Sequence, residues 1–237
     1  MIKTIILFGG KTIGHVIPGI STAKAIKKKN PFTRIIYITS KKQQTLSFIK
    51  LREIDRIYYI DYRNSKSIKE IKHIYNFVKD IYMLYQPNLI ISFGSILGTI
   101  GLLLAKQNNI ISILHEQNKV MGLGNKIGCY LTKNIFVNYN FEKNSKNYNI
   151  KKVGLPTLLD FEKLELSKNK KKLVIVSGSN GALFMNKLAF DFSKTEFAKN
   201  YEITVITGEK YYNSTLNLMH EIPNVHIVSF IEKLYLY

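Results

Sequence analysis

Residues 4–19 read TIILFGGKTIGHVIPG, a continuous apolar run that passes into glycines, a histidine and a helical pattern. A run such as Thr4 to Phe8 is typical of a strand that is buried on both faces of a parallel sheet. Glycines let the backbone take positive φ and approach a ligand closely, and the following helix offers unpaired N–H groups to an anion. The spacing fits neither the G-x-G-x-x-G fingerprint nor a Walker A loop. The stretch therefore predicts a strand, a ligand-binding turn and a helix, the alternative being a tight turn without a ligand.

Outward from this stretch, apolar runs continue to alternate with helical patterns. The predicted strands are Thr4 to Phe8, Arg34 to Thr39, Ile57 to Ile60, Asn88 to Phe93, Ile110 to Leu114 and Ile135 to Val137. The predicted helices are Gly19 to Lys29, Ser67 to Tyr85, Ile96 to Gln107 and Gly122 to Thr132. This alternation predicts βαβ units and a doubly wound parallel sheet.

A second, shorter series follows a lysine-rich run. Residues 158–172 end in SKNKKK and are interpreted as an interdomain linker, or alternatively as a frayed surface loop. Beyond them we predict strands at Leu173 to Ser177, Glu202 to Thr207 and Val225 to Val228, with helices at Ala182 to Lys199 and Tyr211 to His220. Three strands are about half of a doubly wound sheet. The expected organisation is a complete domain over 1–157 and a partial one over 173–237.

Composition and net charge limit the classes of protein to which this chain can belong. The chain has 237 residues, about one and a half domains, and 46% of them are hydrophobic, which excludes wholesale disorder. We expect a cytoplasmic protein, because no apolar run is long enough to span a membrane, no signal peptide is recognisable, and Cys129 is the single cysteine. The net charge of +19 is compatible with compositional bias, nucleic acid, an anionic membrane or phosphorylated ligands.

Three polar clusters follow predicted strands and are candidate sites. His15 stands just past the first glycines, where an open α/β sheet receives ligands, and a neutral imidazole can accept a hydroxyl proton; a helix-capping histidine is the alternative. Residues 115–118 read HEQN, and four polar side chains in a row are expected to face mostly a cleft or solvent. Residues 177–182 read SGSNGA, which can hold a phosphate or cap a helix. No metal site is expected, because His115 and Glu116 lack an i, i+4 partner.

Residues 66–85 form an amphipathic segment with two interpretations. Its apolar residues recur at helical spacing, at positions 68, 71, 74, 75, 78, 81, 82 and 85, and lysines flank them at 66, 69, 72 and 79. Such a stripe is typical of a helix that packs on a core with a solvated basic face. Aromatic side chains beside lysines are also typical of an interfacial helix on an anionic membrane.

Taken in order, these motifs resemble the MurG family, bacterial glycosyltransferases of family 28 that act in peptidoglycan synthesis. The matching segments are GKTIGHVIPG at 10–19, SFGS at 92–95, HEQN at 115–118, GLGNK at 122–126, VGLP at 153–156, SGSNGA at 177–182, TG at 207–208 and FI at 230–231. Each segment alone is weak, whereas the ordered set is specific.

The resemblance implies an α/β fold of the GT-B type. Such a fold consists of two doubly wound Rossmann-like domains, and the second is expected to be incomplete here. It implies inverting transfer of N-acetylglucosamine from UDP-GlcNAc to undecaprenyl-pyrophosphoryl-MurNAc-pentapeptide, with His15 as the catalytic base and no cofactor or metal. The residues at the family's donor-binding positions are Thr12, Ile13, Gly14, Asn118, Ser179 and Ile231. Further residues expected to face the cleft are Gly10, Glu116, Gln117, Gly178 and Asn180.

Departures from the family pattern keep a second hypothesis open. Lys11 replaces a glycine, Leu158 stands where the family has a donor-binding arginine, and the family's later donor-binding segments are absent. The chain is thus interpreted as such a transferase at the inner face of the plasma membrane, where it contacts an anionic lipid surface. The alternative is a non-catalytic acceptor- or membrane-binding module, or one half of a split transferase that pairs with a separate C-terminal half. No motif indicates nucleic-acid binding.

Overall fold

The protein is described by a computed structural model that covers residues 3–44, 52–62, 67–140, 149–158, 171–178 and 181–231. The chain divides into two compact units, Met1–Leu158 and Leu159–Tyr237. Most of the predicted linker lies outside the described residues, so its role as a linker stays a prediction.

The first unit contains a seven-stranded sheet in which every pairing is parallel. The strand order is β3-β2-β1-β4-β5-β6-β7. The strands are β1 (Thr4–Phe8), β2 (Arg34–Ser40), β3 (Arg56–Ile60), β4 (Leu89–Ser92), β5 (Ile111–Glu116), β6 (Asn134–Val137) and β7 (Asn149–Lys152). This order, with β1 central, is the doubly wound topology that the alternating pattern predicted.

Helices cover both faces of this sheet. They are α1 (Ile13–Lys29), α2 (Ile68–Tyr85), α3 (Ser95–Gln107) and the short α4 (Leu123–Gly128). Side chains alternate along a strand, so Ile6 and Phe8 pack with residues of α2 and α3, whereas Ile5 and Leu7 pack with residues of α1. Every residue of β1 is buried, which explains its unbroken apolar sequence.

Three predictions for the first unit need correction. The helix predicted over Gly122 to Thr132 is wrong beyond Gly128, where α4 ends. The helix α1 begins at Ile13 and not at Gly19, so Pro18 lies inside it and His15 lies on its first turn. The strand β7 was not predicted, because its sequence NIKK is exposed at every position and carries no apolar signal. The predicted strands otherwise agree with the structure to within two residues at each end.

The apolar stripe of α2 faces the core. Ile74, Val78 and Ile81 are buried, and their neighbours on the stripe pack against the same cluster, whereas Ile68 is exposed. The interpretation of this stripe as a membrane-facing surface is therefore wrong, and the alternative, a core-packing helix, is confirmed. Lys69, Lys72 and Lys79 lie on the exposed side of the helix.

The second unit has a three-stranded parallel sheet with the order β10-β9-β8. Its elements are β8 (Lys172–Val176), α5 (Leu183–Ser193), β9 (Glu202–Ile206), α6 (Tyr212–Met219) and β10 (Val225–Val228). The predicted helix Ala182 to Lys199 is wrong beyond Ser193, since a separate 3-10 turn spans Glu196–Asn200. Its small core is centred on Ala189, Ala198, Ile203, Val205 and Met219.

Candidate active site

The candidate site lies where the winding of the first sheet reverses. The central strand β1 pairs with β2 on one side and with β4 on the other. Chains leaving two neighbouring strands in opposite directions open a crevice at their carboxyl ends, and ligands of open α/β folds bind there. The turn at 9–12 after β1, the turn at 93–95 after β4 and the HEQN segment at the end of β5 all reach this edge.

The turn after β1 is anchored to the neighbouring strand. The backbone N–H of Gly9 donates to Ile38 O at 3.0 Å, and Thr39 Oγ1 donates to Gly10 O at 3.2 Å. Gln43 Nε2 donates to Lys11 O at 2.6 Å, and the Lys11 ammonium lies 4.1 Å from the centre of the Tyr62 ring. The backbone of the turn is therefore fixed, and Lys11 extends over an aromatic side chain.

Two glycines leave the space that the His15 ring occupies. A Cβ at Gly10 would lie 2.9 Å from His15 Nδ1, and a Cβ at Gly94 would lie 3.0 Å from Cδ2 and 3.1 Å from Nε2. Gly94 also has φ +105°, a conformation that other residues rarely adopt, and Ser95 after it has φ 65°. The ring is thus held between two backbone turns that come from adjacent strands.

The hydrogen bonding and the pKa of His15 suit a base. Its Nδ1 lies 2.8 Å from Thr12 Oγ1. The tautomer in which Nδ1–H donates to this hydroxyl leaves Nε2 free to accept a proton. Burial lowers the pKa of His15 below its ordinary value, although the Glu116 carboxylate partly opposes the shift. The imidazole is therefore neutral at neutral pH.

The HEQN segment is largely buried, contrary to the expectation that most of it faces a cleft or solvent. His115, Glu116 and Gln117 are each exposed by less than a tenth, and Asn118 alone is exposed. Two of their side-chain donors are paired internally: His115 Nε2 donates to Gly154 O at 3.0 Å, and Gln117 Nε2 donates to Phe93 O at 3.0 Å. Burial also lowers the pKa of His115, despite the opposing bond to Gly154.

Glu116 organises the loop that follows β5. Its Oε1 accepts from the backbone N–H of Asn118 at 2.8 Å and from Asn118 Nδ2 at 3.2 Å. Its Oε2 accepts from Asn125 Nδ2 at 2.7 Å and from the N–H of Gly122 at 3.2 Å. All four hydrogen bonds lie within the protein. Glu116 therefore positions Asn118 and α4 and does not itself line the cavity.

A cavity of about 490 Å³ opens beside His15. It brings together five of the predicted site residues, namely Thr12, Gly14, His15, Gln117 and Asn118. The Gln117 Oε1 atom is buried and accepts no hydrogen bond from the described residues, so it can accept one from a ligand. Ile13 is not part of the lining, and Gly10 lies beneath the His15 ring.

Sequence reasoning missed several residues that line the cavity. They are Ile17, Pro18, Lys119, Asn138, Tyr139, Leu155, Pro156 and Thr157. Asn138 and Tyr139 directly follow β6, so the rule that polar residues gather at the carboxyl ends of parallel strands could have found them. Leu158, at the position of the family's arginine, packs against the core beside α1.

The second unit has glycine turns of its own. Gly178 and Gly181 follow β8 with φ 77° and φ 76°, and Gly208 follows β9 with φ 74°. A Cβ at Gly181 would lie 2.4 Å from Thr207 O, so this position requires glycine. Ser179 and Asn180 lie outside the described residues, and Ile231 is half-buried after β10. The predicted roles of Gly178, Ser179, Asn180 and Ile231 stay predictions.

The described residues hold no group of three or more histidine, cysteine, aspartate or glutamate side chains that could bind a metal ion. Among those same residues, no helix combines the length and the apolar character needed to cross a bilayer.

Comparison with solved structures shows the type of fold. The chain is similar to MurG from Acinetobacter baumannii, with a TM-score of 0.61 at 19% identity over 97% of this chain and 69% of that one. It is also similar to a UDP-GlcNAc 2-epimerase from Neisseria meningitidis bound to UDP-GlcNAc, with a TM-score of 0.70 at 13% identity over 99% of this chain and 74% of that one. Likeness at these identities shows the fold, which is of the GT-B type, as predicted.

The chain belongs to glycosyltransferase family 28, because the N-terminal domain of that family matches residues 5–137. A curated relative is the UDP-N-acetylglucosamine--N-acetylmuramyl-(pentapeptide) pyrophosphoryl-undecaprenol N-acetylglucosamine transferase of Leuconostoc mesenteroides, 26% identical over 97% of this chain. The chain spans 69% of the length of that relative. These matches confirm the family resemblance and the assignment to the UDP-sugar glycosyltransferases.

Proposed function

We propose that the protein transfers N-acetylglucosamine from UDP-GlcNAc to undecaprenyl-pyrophosphoryl-MurNAc-pentapeptide. The observation that carries the proposal is His15, a neutral imidazole held between Gly10 and Gly94 at the edge of a 490 Å³ cavity. The names of the curated relatives supply the donor sugar and the lipid-linked acceptor.

In the proposed reaction His15 is the general base. Its Nε2 takes the proton from the acceptor sugar's 4-hydroxyl, whose oxygen forms a bond to the anomeric carbon of the donor. The bond between that carbon and the diphosphate oxygen breaks at the same time, and UDP leaves with the electron pair, which inverts the configuration. The Thr12 hydroxyl positions the imidazole by accepting from Nδ1–H.

Donor binding is proposed to use backbone groups of the glycine turns together with Thr12, Ile13, Gly14, Asn118, Ser179 and Ile231. Positive φ at Gly178 and Gly181 is compatible with a turn that directs N–H groups at a phosphate ahead of α5. Such donors can stabilise the departing diphosphate without a metal ion.

Release of UDP from the donor in the presence of lipid acceptor tests the function. We expect His15→Ala to lower kcat by about 10²- to 10⁴-fold, the usual contribution of a general base. His73→Ala is the matched control, because His73 is exposed on α2 and has no part in the cavity. Equal activity of wild type and His15→Ala would remove His15 from the mechanism, and no UDP release by the wild type would contradict the function itself.

We propose that the reaction takes place at the inner face of the plasma membrane, which holds the undecaprenyl chain of the proposed acceptor. The net charge of +19 supports contact with an anionic lipid surface. Because the α2 stripe packs on the core, we propose that this contact does not use that stripe.

A second candidate function is a binding module that works with a separate polypeptide. It is favoured by the second sheet, in whose described part β8 lies at an edge, because the first strand of a doubly wound sheet is central and pairs with a strand on each side. A separately produced C-terminal half of a family relative should then bind this chain and restore UDP release. Full activity of the chain alone would contradict this alternative.

A further inference from the structure

Two residues at the carboxyl end of β6 line the cavity beside His15 and have no role in the reaction proposed above. They are Asn138, which is half-buried, and Tyr139, which is 47% exposed. All the described residues that line this cavity belong to the first unit. A ligand can therefore be recognised there by groups of the first unit alone.

The side-chain amide of Asn138 has a fixed orientation. Its Nδ2 donates to the backbone oxygen of Gln117 at 3.1 Å, and its backbone N–H donates to Glu116 O at 3.0 Å. A carbonyl oxygen can only accept, so the atom that faces Gln117 O must be the amide nitrogen. The free end of the side chain is then Oδ1, and no described residue donates to it. Asn138 thus offers a ligand a hydrogen-bond acceptor.

His15 offers a second acceptor to the same cavity. When Nδ1–H donates to Thr12 Oγ1, the Nε2 atom of the neutral ring has a lone pair and no proton. A ligand that binds both His15 Nε2 and Asn138 Oδ1 must carry two donor groups. The cavity volume of about 490 Å³ lies within the usual range of about 300 to 1,000 Å³ for small-molecule sites.

The ring of Tyr139 supplies an apolar surface in this cavity. Other apolar side chains of the lining are Ile17, Pro18, Leu155 and Pro156. An aromatic ring can pack against the C–H groups on one face of a pyranose, whose hydroxyls project from the edge of the sugar ring. A surface of this kind, together with a few fixed acceptors, fits a ligand that is apolar on its faces and rich in hydroxyls at its edge.

The charge of the cavity favours a sugar ring over a diphosphate. Among the described residues of its lining, Lys119 alone is charged at neutral pH, because burial keeps the His15 ring neutral. The charges of a diphosphate are best held by several cations or N–H donors. A largely neutral wall therefore suits an uncharged pyranose better.

Hydrogen bonds hold this wall in place before a ligand binds. The N–H of Val153 donates to Val137 O at 2.9 Å, next to Asn138 in the chain. Ser21 Oγ donates to Thr157 O at 2.6 Å, which joins α1 to residues 155–157 of the lining. A preformed wall loses little conformational entropy on binding, so its contacts can contribute to selectivity.

We propose that Asn138 and Tyr139 select the acceptor sugar of the proposed reaction, on which this inference rests. The Tyr139 ring packs against one face of the sugar, and Asn138 Oδ1 accepts a hydrogen bond from its 6-hydroxyl. The reacting 4-hydroxyl has a neighbouring carbon on each side. The oxygen on C3 of a muramyl sugar is an ether and cannot donate, whereas C5 carries the hydroxymethyl group. The 6-hydroxyl is therefore the donor that accompanies the 4-hydroxyl into a cavity with two acceptors.

Acceptors that differ at C6 test the role of Asn138 in the full chain. A water-soluble acceptor with a shortened lipid is compared with its 6-deoxy analogue, and UDP release gives kcat/KM for each. The wild type should use the 6-deoxy analogue about tenfold less well, because one hydrogen bond is lost. Asn138→Ala should use both acceptors equally poorly. Asn140→Ala, at an exposed asparagine outside the lining, is the matched control and should keep the wild-type preference.

The contact of the Tyr139 ring is tested by the KM of each substrate. We expect Tyr139→Ala to raise the KM of the acceptor about tenfold and to leave the KM of UDP-GlcNAc unchanged, because the ring contacts the acceptor sugar. Tyr139→Phe keeps the ring and should restore most of the affinity. Tyr130→Ala, at a tyrosine that is 75% exposed and outside the lining, controls for the loss of an aromatic side chain.

Direct binding separates this inference from the proposed function. Saturation-transfer NMR with the methyl glycoside of N-acetylmuramyl-pentapeptide, and with its 6-deoxy analogue, requires neither donor nor turnover. The sugar should bind the wild type and His15→Ala, and bind more weakly to Asn138→Ala and Tyr139→Ala. Such binding by a chain that releases no UDP would contradict the proposed function alone.

Four results would overturn the inference itself. They are no binding of the sugar, equal use of the two acceptors by the wild type, a preference for the 6-hydroxyl that survives in Asn138→Ala, and a change in the KM of UDP-GlcNAc instead of the acceptor in Tyr139→Ala. Any of the last three would be found in a chain that releases UDP, so the proposed function would stand.

Discussion

The position and the pKa of the His15 side chain depend on the residues around it. Its ring fits because Gly10 and Gly94 have no side chains, and its pKa is lowered because the same turns exclude water from it. Thr12 then sets the orientation of the ring. The proposed role of His15 as a base therefore depends on three neighbouring residues, Gly10, Thr12 and Gly94.

A methyl group at position 94 tests this dependence. We expect Gly94→Ala to displace the His15 ring, since its Cβ would lie 3.0 Å from Cδ2, and to strain a backbone with φ +105°. Displacement of the ring by about an ångström can lower kcat by about 10²-fold. The backbone strain should lower the free energy of unfolding by about 1 to 3 kcal/mol. UDP release and urea unfolding measure the two effects. Gly122→Ala, where a Cβ meets nothing within 4 Å, should leave both nearly unchanged.

The pKa of His15 also makes a prediction about pH. A base must be unprotonated to act, and burial moves the pKa of His15 below its ordinary 6.5. We therefore expect kcat/KM to be constant near neutral pH. Within the range of about pH 5 to 8, it should fall only at the acidic end, as the pH drops through the lowered pKa of His15. A profile whose midpoint lies above pH 6.5 would contradict the assignment of His15 as the base.

At the scale of secondary-structure elements, the loop between β5 and α4 depends on one carboxylate. Glu116→Ala would leave the N–H groups of Asn118 and Gly122 and the Asn125 amide without their acceptor. We expect a loss of about 3 kcal/mol in the free energy of unfolding, measured in urea. Glu221→Ala, at an exposed carboxylate, should change stability by less than about 0.5 kcal/mol. A small effect of Glu116→Ala would mean that the loop is held by other contacts.

The same elements show what sequence can and cannot predict. Continuous apolar runs predicted six strands of the first sheet, because burial on both faces leaves a strong signal at each of them. β7 was missed because an exposed edge strand carries no such signal, and the start of α1 was misplaced because Pro18 and Gly14 were interpreted as loop residues. HEQN was located correctly but assigned the wrong exposure, since its hydrogen bonds to Phe93 and Gly154 join residues far apart in sequence.

On the scale of the whole molecule, the two units have separate cores. The three apolar clusters of the first unit lie within residues up to 158, and the cluster of the second unit shares no residue with them. The described residues of the first unit form a seven-stranded sheet, whereas those of the second unit form three strands.

A chain of residues 1–158 should therefore fold on its own. We expect one cooperative thermal transition and the far-ultraviolet circular dichroism of a mixed α/β protein, since a domain of this size buries enough apolar surface. Residues 159–237 alone should be marginal, because their core has five fully buried apolar residues. Gradual melting of the first fragment would show that it needs the second unit.

The central position of β1 also has a consequence for the order of events during synthesis. β1 leaves the ribosome before the other strands of its sheet, yet one of its two partners is β4, where Ile5 pairs with Leu89. At about 5 to 20 residues per second, several seconds pass before that partner is made. During this interval β1, whose residues are all buried in the folded protein, has one edge open. Productive folding of the nascent chain thus depends on protecting β1 until residue 92 has emerged.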